Sequence, residues 1–375
     1  MHNHNIIKSI NNKLLCYMIS LESKSNQLYF DKEGINYSGV KINSIYKKPY
    51  LLRLNFIKNI TRYFSDNNIS KLFEKKINRK FGLIEFMDIH SEGYQFLRKN
   101  PDKRNRTLIR SHTPFSLLRK YYTRDELRGV DTWFSFRREK KCFEWTGNIT
   151  APSHDLKKQL IRIFNIKPKK IKVIPNILDT NHFIPLKNET NNKFNILHVG
   201  RFERAKGVET LIKAFIQIAK KYSDINLTCV GNPRGPSFDR CKKTLIKENL
   251  IQNVSFTGFA AYEELPRYYS QSDLVVVPSE IYESFSYTVA QGMACGKPVI
   301  ASDIGGIPET VNMGHAGILF KVGNVEDLID KIEFMYLNVS QRKSIGHKGR
   351  KHVVENYSME ALGQKYIEYY QSIIV

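Results

Sequence analysis

A basic pair stands at a turn between a strand-like run and a helix-like run in the second half of the chain. Arg201 follows Gly200 at the end of the apolar run 196–199, and Lys206 comes five residues later, before a helical pattern that starts at Val208. A guanidinium and an ammonium at a helix entrance can clamp a diphosphate, and the helix dipole adds to the attraction. The pair could instead be two solvated charges, so the interpretation depends on what lies downstream.

The segment 277–309 carries a second set of candidate residues. It reads as a strand, a polar loop with Glu280 and Glu283, a helix rich in small residues, a second strand and a Gly-Gly turn. This order is typical of nucleotide-phosphate sites in α/β sheets, where helix N-termini offer free N–H groups beside the strand ends. A carboxylate at the helix entrance can hold sugar hydroxyls.

The elements that must position these residues alternate between strands and helices. In the second half, the predicted strands are 196–199, 226–230, 254–256, 273–278 and 298–301, and the predicted helices are 208–222, 237–249, 263–270 and 359–373. In the first half, the predicted strands are 14–20, 83–86, 108–110, 149–151 and 172–175, with a helix over 6–13 and a basic amphipathic segment over 41–80. Such alternation predicts parallel sheets. The segment 175–193, rich in Pro and Asn, predicts a linker between two domains.

The composition fits a globular protein of two domains. The chain has 375 residues, of which 41% are hydrophobic and 12% aromatic, so it can bury two cores. No apolar run approaches the roughly 20 residues of a membrane span, and the first residues lack the pattern of a signal peptide. The five cysteines form no close pair, which argues against a disulfide framework or a zinc cluster and favours a cytoplasmic location.

The positive charge is concentrated in the first half. Residues 1–187 hold 37 Lys and Arg against 16 Asp and Glu, whereas the remainder holds 22 against 20. A basic half-protein attracts anionic lipid, nucleic acid or an acidic acceptor. Compositional drift in a Lys-rich and Asn-rich proteome would explain the same excess.

The segment 277–309 resembles the group 1 retaining glycosyltransferases of glycosyltransferase family four. The matching positions are Pro278, Ser279, Glu283, Phe285, Met293, Ala294, Gly296, 298–302, Gly305, Gly306 and Glu309. Two positions depart from the family pattern, because Ser286 stands where Gly is usual and Gln291 stands where a second Glu is usual. The resemblance is strong over 172–375 and diffuse over 80–171.

The resemblance implies the GT-B architecture, an α/β fold in which two Rossmann-like domains face each other across a cleft. It places the acceptor-side domain at 1–180 and the nucleotide-sugar-binding domain at 190–355. The C-terminal helix, 356–375, would pack back on the first domain. The family's opening strand and glycine loop have no counterpart near the start of this sequence, so we expect a truncated first domain.

The resemblance also implies roles for the basic pair and for the carboxylate. Arg201 and Lys206, with Gly200 at the strand end, would neutralise the leaving diphosphate, whose negative charge must be stabilised without proton transfer. Glu283 would accept hydrogen bonds from the hydroxyls of the donor sugar.

Further positions would surround the nucleotide. Phe285 and Ser286 would present backbone N–H groups to the distal phosphate, and replacing Gly with Ser would reduce backbone freedom there. Gln291 would contact the ribose without the usual charge, or would be a neutral packing residue. Phe259 would lie in the loop beside the nucleobase. In the first domain His112, directly after a predicted strand, would reach the donor sugar from the opposite wall of the cleft.

The leading hypothesis is therefore a metal-independent retaining glycosyltransferase. A nucleotide-diphosphate sugar would be its co-substrate, with no cofactor, and its acceptor would be a glycan, a lipid-linked intermediate or a polysaccharide of the cell envelope. The chain has no D-x-D pair, which transferases of the other main architecture use to hold a metal. Front-side attack, with the leaving phosphate oxygen taking the acceptor's proton, comes with the resemblance.

Two alternatives belong to other functional classes. A degenerate, non-catalytic sugar-nucleotide-binding protein would account for Gln291 and for the missing glycine loop. A nucleic-acid-associated protein would account for the basic first half, but no recognisable nucleic-acid-binding motif is present. The predicted location is the cytoplasm, with peripheral association at the anionic inner face of the membrane as a further expectation.

Overall fold

The computed structural model of the protein describes residues 17–21, 36–40, 82–88, 91, 93–121, 130–186 and 193–374. The chain forms two compact units, one of residues up to Ile174 together with those from Gly363 onward, and one of Pro175–Leu362. The predicted helix 6–13, the amphipathic segment 41–80 and the region of the missing glycine loop lie outside the described residues.

The first unit is built around parallel strands. They are β1 (Tyr17–Leu21), β2 (Asn36–Val40), β3 (Ile84–Met87), β4 (Thr107–Arg110), β5 (Asn148–Ala151) and β6 (Ile171–Val173). β1 pairs with β2, and the other four form a sheet in the order β3-β4-β5-β6, with every pairing parallel. The helices described after β3 are α1 (Tyr94–Lys99), α2 (Phe115–Leu118), α3 (Val130–Trp145) and α4 (His154–Phe164).

The fourth helix of the first unit shows how local sequence sets its ends. Ser153 has an extended backbone, and its side chain accepts the N–H of Leu156 at 3.2 Å, which satisfies one free donor of the first turn. The helix ends at Asn165, whose left-handed conformation (φ 54°) terminates it. Three of its side chains, Leu156, Leu160 and Phe164, are buried at helical spacing.

The second unit contains a six-stranded parallel sheet. Its strands are β7 (Phe194–Val199), β8 (Ile225–Val230), β9 (Val254–Gly258), β10 (Leu274–Val277), β11 (Val299–Ser302) and β12 (Ile318–Phe320). The helices that begin in this unit are α5 (Val208–Lys221), α6 (Pro236–Lys247), α7 (Leu265–Ser270), α8 (Tyr287–Ala294), α9 (Ile307–Thr310), α10 (Val325–Leu337), α11 (Val339–Tyr357) and α12 (Met359–Ile374). From Gly363 onward, α12 belongs to the first unit.

The strand order of this sheet identifies where a ligand would bind. The order is β12-β11-β10-β7-β8-β9, so the chain winds outward in one direction from β7 and in the other direction from β10. In open parallel sheets, ligands bind beyond the carboxyl ends of the strands where the winding reverses. The predicted basic pair follows β7 and the predicted carboxylate loop follows β10, so both lie at this switch point.

The predicted fold class is confirmed, since both units are parallel-sheet α/β structures. Every residue of β10 and β11 is buried, as expected of strands covered by helices on both faces. None of the described helices is both long and apolar enough to cross a bilayer.

Candidate functional site

The turn that carries Lys206 is locked to the loop after β10. Gly207 adopts a left-handed conformation (φ 67°), and a Cβ atom there would lie 1.7 Å from the carbonyl oxygen of Pro278. The carbonyl of Ala205 accepts the N–H groups of Glu280 at 2.9 Å and of Ile281 at 3.1 Å. Only glycine allows so close an approach of the two backbones, so this residue fixes the position of Lys206.

A second glycine turn holds the backbone of Glu283. Gly305 is also left-handed (φ 60°), and a Cβ atom there would lie 2.3 Å from the carbonyl oxygen of Glu283. The next residue, Gly306, donates its N–H to that same oxygen at 2.7 Å. The Gly-Gly turn of the sequence motif therefore holds the backbone of the loop that carries Glu283.

The two loops bring Lys206 and Glu283 into direct contact. The Lys206 ammonium lies 2.5 Å from Oε1 of Glu283, and the hydroxyl of Ser279 donates to the same oxygen at 2.9 Å. The other carboxylate oxygen, Oε2, receives no hydrogen bond from any residue that the structure describes. The carboxylate thus keeps one oxygen for a ligand, and Lys206 must share or exchange its partner when an anion binds.

The structure places Arg201 apart from this pair. Its side chain is 71% exposed and forms an ion pair with Glu203 at 3.0 Å. Of the two predicted phosphate-binding cations, only Lys206 therefore contacts the carboxylate. Gly200, at the end of β7, donates its N–H to Val230 at 2.9 Å and holds the neighbouring strand end.

The N-terminus of α8 follows the carboxylate loop. Phe285 is buried, and its ring packs edge-on against Tyr287 and Tyr357, with centroids 5.3 Å apart in both pairs. Ser286 caps the helix with an ordinary extended backbone (φ −103°). Within the described residues, the backbone N–H groups of Phe285 and Ser286 have no hydrogen-bond acceptor, so they remain available for an anion.

The backbone conformation of Ser286 does not depend on the freedom that glycine would provide. A φ of −103° lies in the region that any L-residue adopts. Glycine is therefore not required at this position by the backbone, and the seryl side chain is buried without strain in φ.

Gln291 and Phe259 differ sharply in exposure. Gln291 is buried in α8, and its Oε1 accepts a hydrogen bond from the hydroxyl of Tyr269 at 3.0 Å. Phe259 follows β9 and is 85% exposed. The side chain of Gln291 is thus already hydrogen-bonded to Tyr269, and a ribose hydroxyl would compete for the same oxygen. The ring of Phe259, in contrast, is open to solvent.

The first unit holds His112 at the end of β4. The His112 N–H and the Ser111 hydroxyl both donate to Oδ2 of Asp88, at 2.9 and 2.8 Å. Burial and the nearby Arg110 guanidinium lower the pKa of His112 to about 4, so its imidazole is neutral at physiological pH. The predicted contacts of His112 and of the second-unit residues with a substrate stay predictions.

A buried polar network lies beneath this strand end. Arg110 donates to Glu85 at 2.5 and 3.1 Å, to the Tyr366 hydroxyl at 3.0 Å and to the Tyr370 hydroxyl at 2.6 Å. Both tyrosines come from α12. The C-terminal part of that helix therefore helps to fix the strand from which His112 follows.

Sequence reasoning missed two residues that touch the candidate site residues. Ser279 is part of the matching motif but has no predicted role there. Its signal is a hydroxyl four residues before Glu283, close enough in sequence to contact the carboxylate. Asp88 directly follows β3, and a carboxylate at a parallel strand end was the available signal. Among the described residues, no group of three or more His, Cys, Asp or Glu side chains is placed to hold a metal ion.

Comparison with known families matches the two halves of the chain separately. The family model "Glycosyl transferases group 1" matches residues 179–352, and the family model "Glycosyltransferase Family 4" matches residues 29–182. Among curated proteins, N-acetyl-alpha-D-glucosaminyl L-malate synthase of Bacillus anthracis is 27% identical over 235 residues, which is 60% of each chain. The chain thus spans less than two thirds of the length of the curated relatives that it matches first.

Two solved structures of low sequence identity share the fold. A glycosyltransferase from Rickettsia africae superposes with a TM-score of 0.74 at 22% identity, covering 100% of this chain and 94% of that one. The Anabaena protein HepE, solved with UDP, superposes with a TM-score of 0.75 at 18% identity, covering 99% and 95%.

Proposed function

The chain belongs to the group 1 glycosyltransferases. We propose that it moves a sugar from a nucleotide-diphosphate sugar to a glycan, lipid-linked or polysaccharide acceptor. The observation that carries the proposal is the contact between Lys206 and Glu283 at the switch point of the second sheet. It joins a cation for the diphosphate to a carboxylate that retains a free oxygen for the sugar.

Donor binding would use groups that the free protein leaves available. The N–H groups of Phe285 and Ser286 would hold the distal phosphate, and Oε2 of Glu283 would accept a sugar hydroxyl. Lys206 would turn from Glu283 toward the phosphate as the negative charge of the leaving group develops. Arg201 is exposed enough to join it by exchanging Glu203 for phosphate. The structure of HepE with UDP supports a nucleoside diphosphate as the ligand class.

Transfer would proceed with retention and without a metal. The leaving phosphate oxygen would accept the proton of the attacking hydroxyl, so the bond to the acceptor forms as the bond to the phosphate breaks and no protein base is needed. His112, neutral at physiological pH, would hydrogen-bond the donor sugar and steady the charge on its anomeric carbon.

A panel of nucleotide sugars tests this proposal. The wild-type chain should release a nucleoside diphosphate from at least one donor, and Lys206→Met should reduce the release about 100-fold because a leaving-group contact is lost. Lys221→Met is the matched control, since Lys221 also pairs with a glutamate, Glu333, in the same unit. Equal losses in both variants, or no release from any donor, would contradict the proposal.

A nucleotide-binding protein without turnover is the second candidate. It is favoured by Gln291, which stands where the family has a charged Glu and whose side-chain oxygen already accepts a hydrogen bond from Tyr269. Nucleotide binding in calorimetry without release in the donor panel would favour this candidate.

We also propose that the basic first half holds the protein at an anionic membrane surface in the cytoplasm. The support is the excess of 37 basic over 16 acidic residues in 1–187. Flotation with anionic but not neutral liposomes is expected, together with a weaker shift of DNA at the same salt concentration. Stronger binding to DNA would favour a nucleic-acid partner instead.

A further inference from the structure

Asp88 is a buried residue of the first unit, and the proposed transfer mechanism gives its carboxyl group no role. It follows β3 and is 4% exposed. Its Oδ2 accepts two hydrogen bonds from the neighbouring strand end, from the Ser111 hydroxyl and from the His112 N–H. Its own N–H donates to the carbonyl of Arg110 at 3.1 Å. One residue thus contacts three successive positions, 110 to 112.

The surroundings of Asp88 destabilise its ionised form, so stability of the fold does not explain why a carboxyl group is buried here. Its second oxygen, Oδ1, is buried and has no hydrogen-bond partner within the described part of the chain. Burial, opposed by the two hydrogen bonds, and the carboxylate of Glu139 raise the pKa of Asp88 to about 7. An uncompensated buried carboxylate is destabilising, and such groups concentrate at functional sites.

These contacts determine how the ring of His112 is presented. The ring direction depends on the backbone at Ser111 and His112, and both donors of that turn end on one oxygen of Asp88. Ser111 is held on its other side by its N–H bond to the Thr150 carbonyl at 2.9 Å. The carboxylate therefore adds two hydrogen bonds to a turn that the strand pairing also holds.

We propose that Asp88 is the positioning residue for His112, holding the Ser111–His112 turn in the geometry that sugar transfer requires. The proposal rests on the proposed glycosyl transfer and on His112 contacting the donor sugar. Asp88 acts through the turn and need not touch substrate.

The rate of sugar transfer should depend on pH through the ionisation of Asp88. An ionised carboxylate is a stronger acceptor than a carboxylic acid, so the turn is held most firmly when Asp88 has lost its proton. Because Oδ2 is occupied by two donors, the proton resides on Oδ1. Among the described residues, Glu139 on α3 is the charge that acts on Asp88, whereas Arg110 on β4 is already paired with Glu85 on β3. Transfer should therefore rise as the pH passes through about 7.

The matched variants are Asp88→Asn, Asp88→Ala and Glu139→Gln. Asn keeps an oxygen for Ser111 and His112 but cannot ionise, whereas Ala removes the contact. Glu139 is another buried carboxylate of the same unit, which accepts the N–H groups of Phe115 and Ser116 at the start of α2. Its isosteric change controls for the loss of any buried charge.

Kinetics and NMR together test the proposal. We expect kcat to fall about tenfold in Asp88→Asn and further in Asp88→Ala, with UDP affinity unchanged, because misplacing a contact group slows the chemical step. The rise of activity with pH should disappear in Asp88→Asn and persist in Glu139→Gln, there with a lower midpoint because the Glu139 charge helps to raise the pKa of Asp88. Wild-type rates in Asp88→Asn at all pH values would overturn the proposal.

A readout that needs no turnover separates this inference from the proposed function. The ring resonances of His112, labelled with carbon-13, should shift with a midpoint near pH 7 in the wild type, because they sense Asp88, and this step should be missing in Asp88→Asn. If the step is absent from the wild type, or persists in Asp88→Asn, the positioning role is wrong. Loss of all transfer in the wild type would instead overturn the proposed function and leave this result to stand.

Discussion

The two units present their candidate site residues in opposite ways. In the second unit, Lys206 and Glu283 lie partly exposed on loops that are fixed by backbone contacts at Gly207 and Gly305. In the first unit, His112 is fixed by the buried side chain of Asp88. A site held by glycine turns leaves a motif in the sequence, whereas a site held by buried side chains does not.

The largest loss of stability is expected at the glycine turn beside Lys206. Gly207→Ala should destabilise the second unit by about 4 kcal/mol, since it adds a left-handed alanine and an overlap with the Pro278 carbonyl. Gly235→Ala is the control, because Gly235 also has a positive φ (93°) but has nothing within 4 Å of a Cβ atom; its effect should be about 1–3 kcal/mol, from backbone strain alone. Denaturant unfolding measures both, and equal losses would mean that close approach does not matter.

The carboxylate of the second unit offers the next test. Glu283→Ala should lower transfer about 100-fold, or about 2.7 kcal/mol, because it removes the proposed contacts to the donor sugar. The same change frees Lys206, so UDP, used as the probe because HepE was solved with it, should bind at least as tightly as to the wild type. Glu333→Ala, which frees Lys221 in the same unit, should alter neither quantity. Weaker UDP binding in Glu283→Ala would show that the ion pair serves to build the phosphate site.

The buried carboxyl of the first unit predicts a dependence of stability on pH. The folded pKa of Asp88 is raised from 3.8 to about 7, so its contribution to stability is fully present below pH 3.8 and is lost as the pH rises to about 7. Between pH 5 and pH 8 the unfolding free energy of the wild type should fall by about 2.6 kcal/mol more than that of Asp88→Asn. Parallel pH profiles of the two proteins would contradict the assignment.

The smallest expected effect concerns the C-terminal helix. Tyr370→Phe removes a hydroxyl that accepts from Arg110 at 2.6 Å and donates to Glu85 at 2.5 Å. We expect a loss of about 1 kcal/mol in the unfolding free energy of the first unit. Tyr369→Phe, on the same helix and with no hydroxyl hydrogen bond to a described residue, should be neutral. If both variants are neutral, the network does not stabilise the strand end.

The second unit could be predicted from the sequence in much greater detail than the first. The run from 274 to 306 contains two fully buried strands, a helix and a Gly-Gly turn, and each has a local signature. The contact between Lys206 and Glu283 follows from strand order, because β7 and β10 are neighbours.

Other features depend on contacts between residues distant in sequence. Asp88 meets Ser111 and His112 across more than twenty residues, and Arg110 meets Tyr366 and Tyr370 across more than 250. The burial of Gln291 against Tyr269 likewise has no local signal. Such pairings are set by the packing of whole elements, which periodicity alone does not specify.

The most direct test of glycosyl transfer needs no knowledge of the acceptor. Glycosyl donors can be hydrolysed slowly when water takes the place of the acceptor, and proton NMR identifies the anomer that is released first. With a nucleotide α-sugar, the proposed mechanism predicts that the α-anomer appears first, together with one nucleoside diphosphate per sugar, and that Lys206→Met suppresses both. Initial release of the β-anomer, or binding of the donor with no release at all, would contradict it.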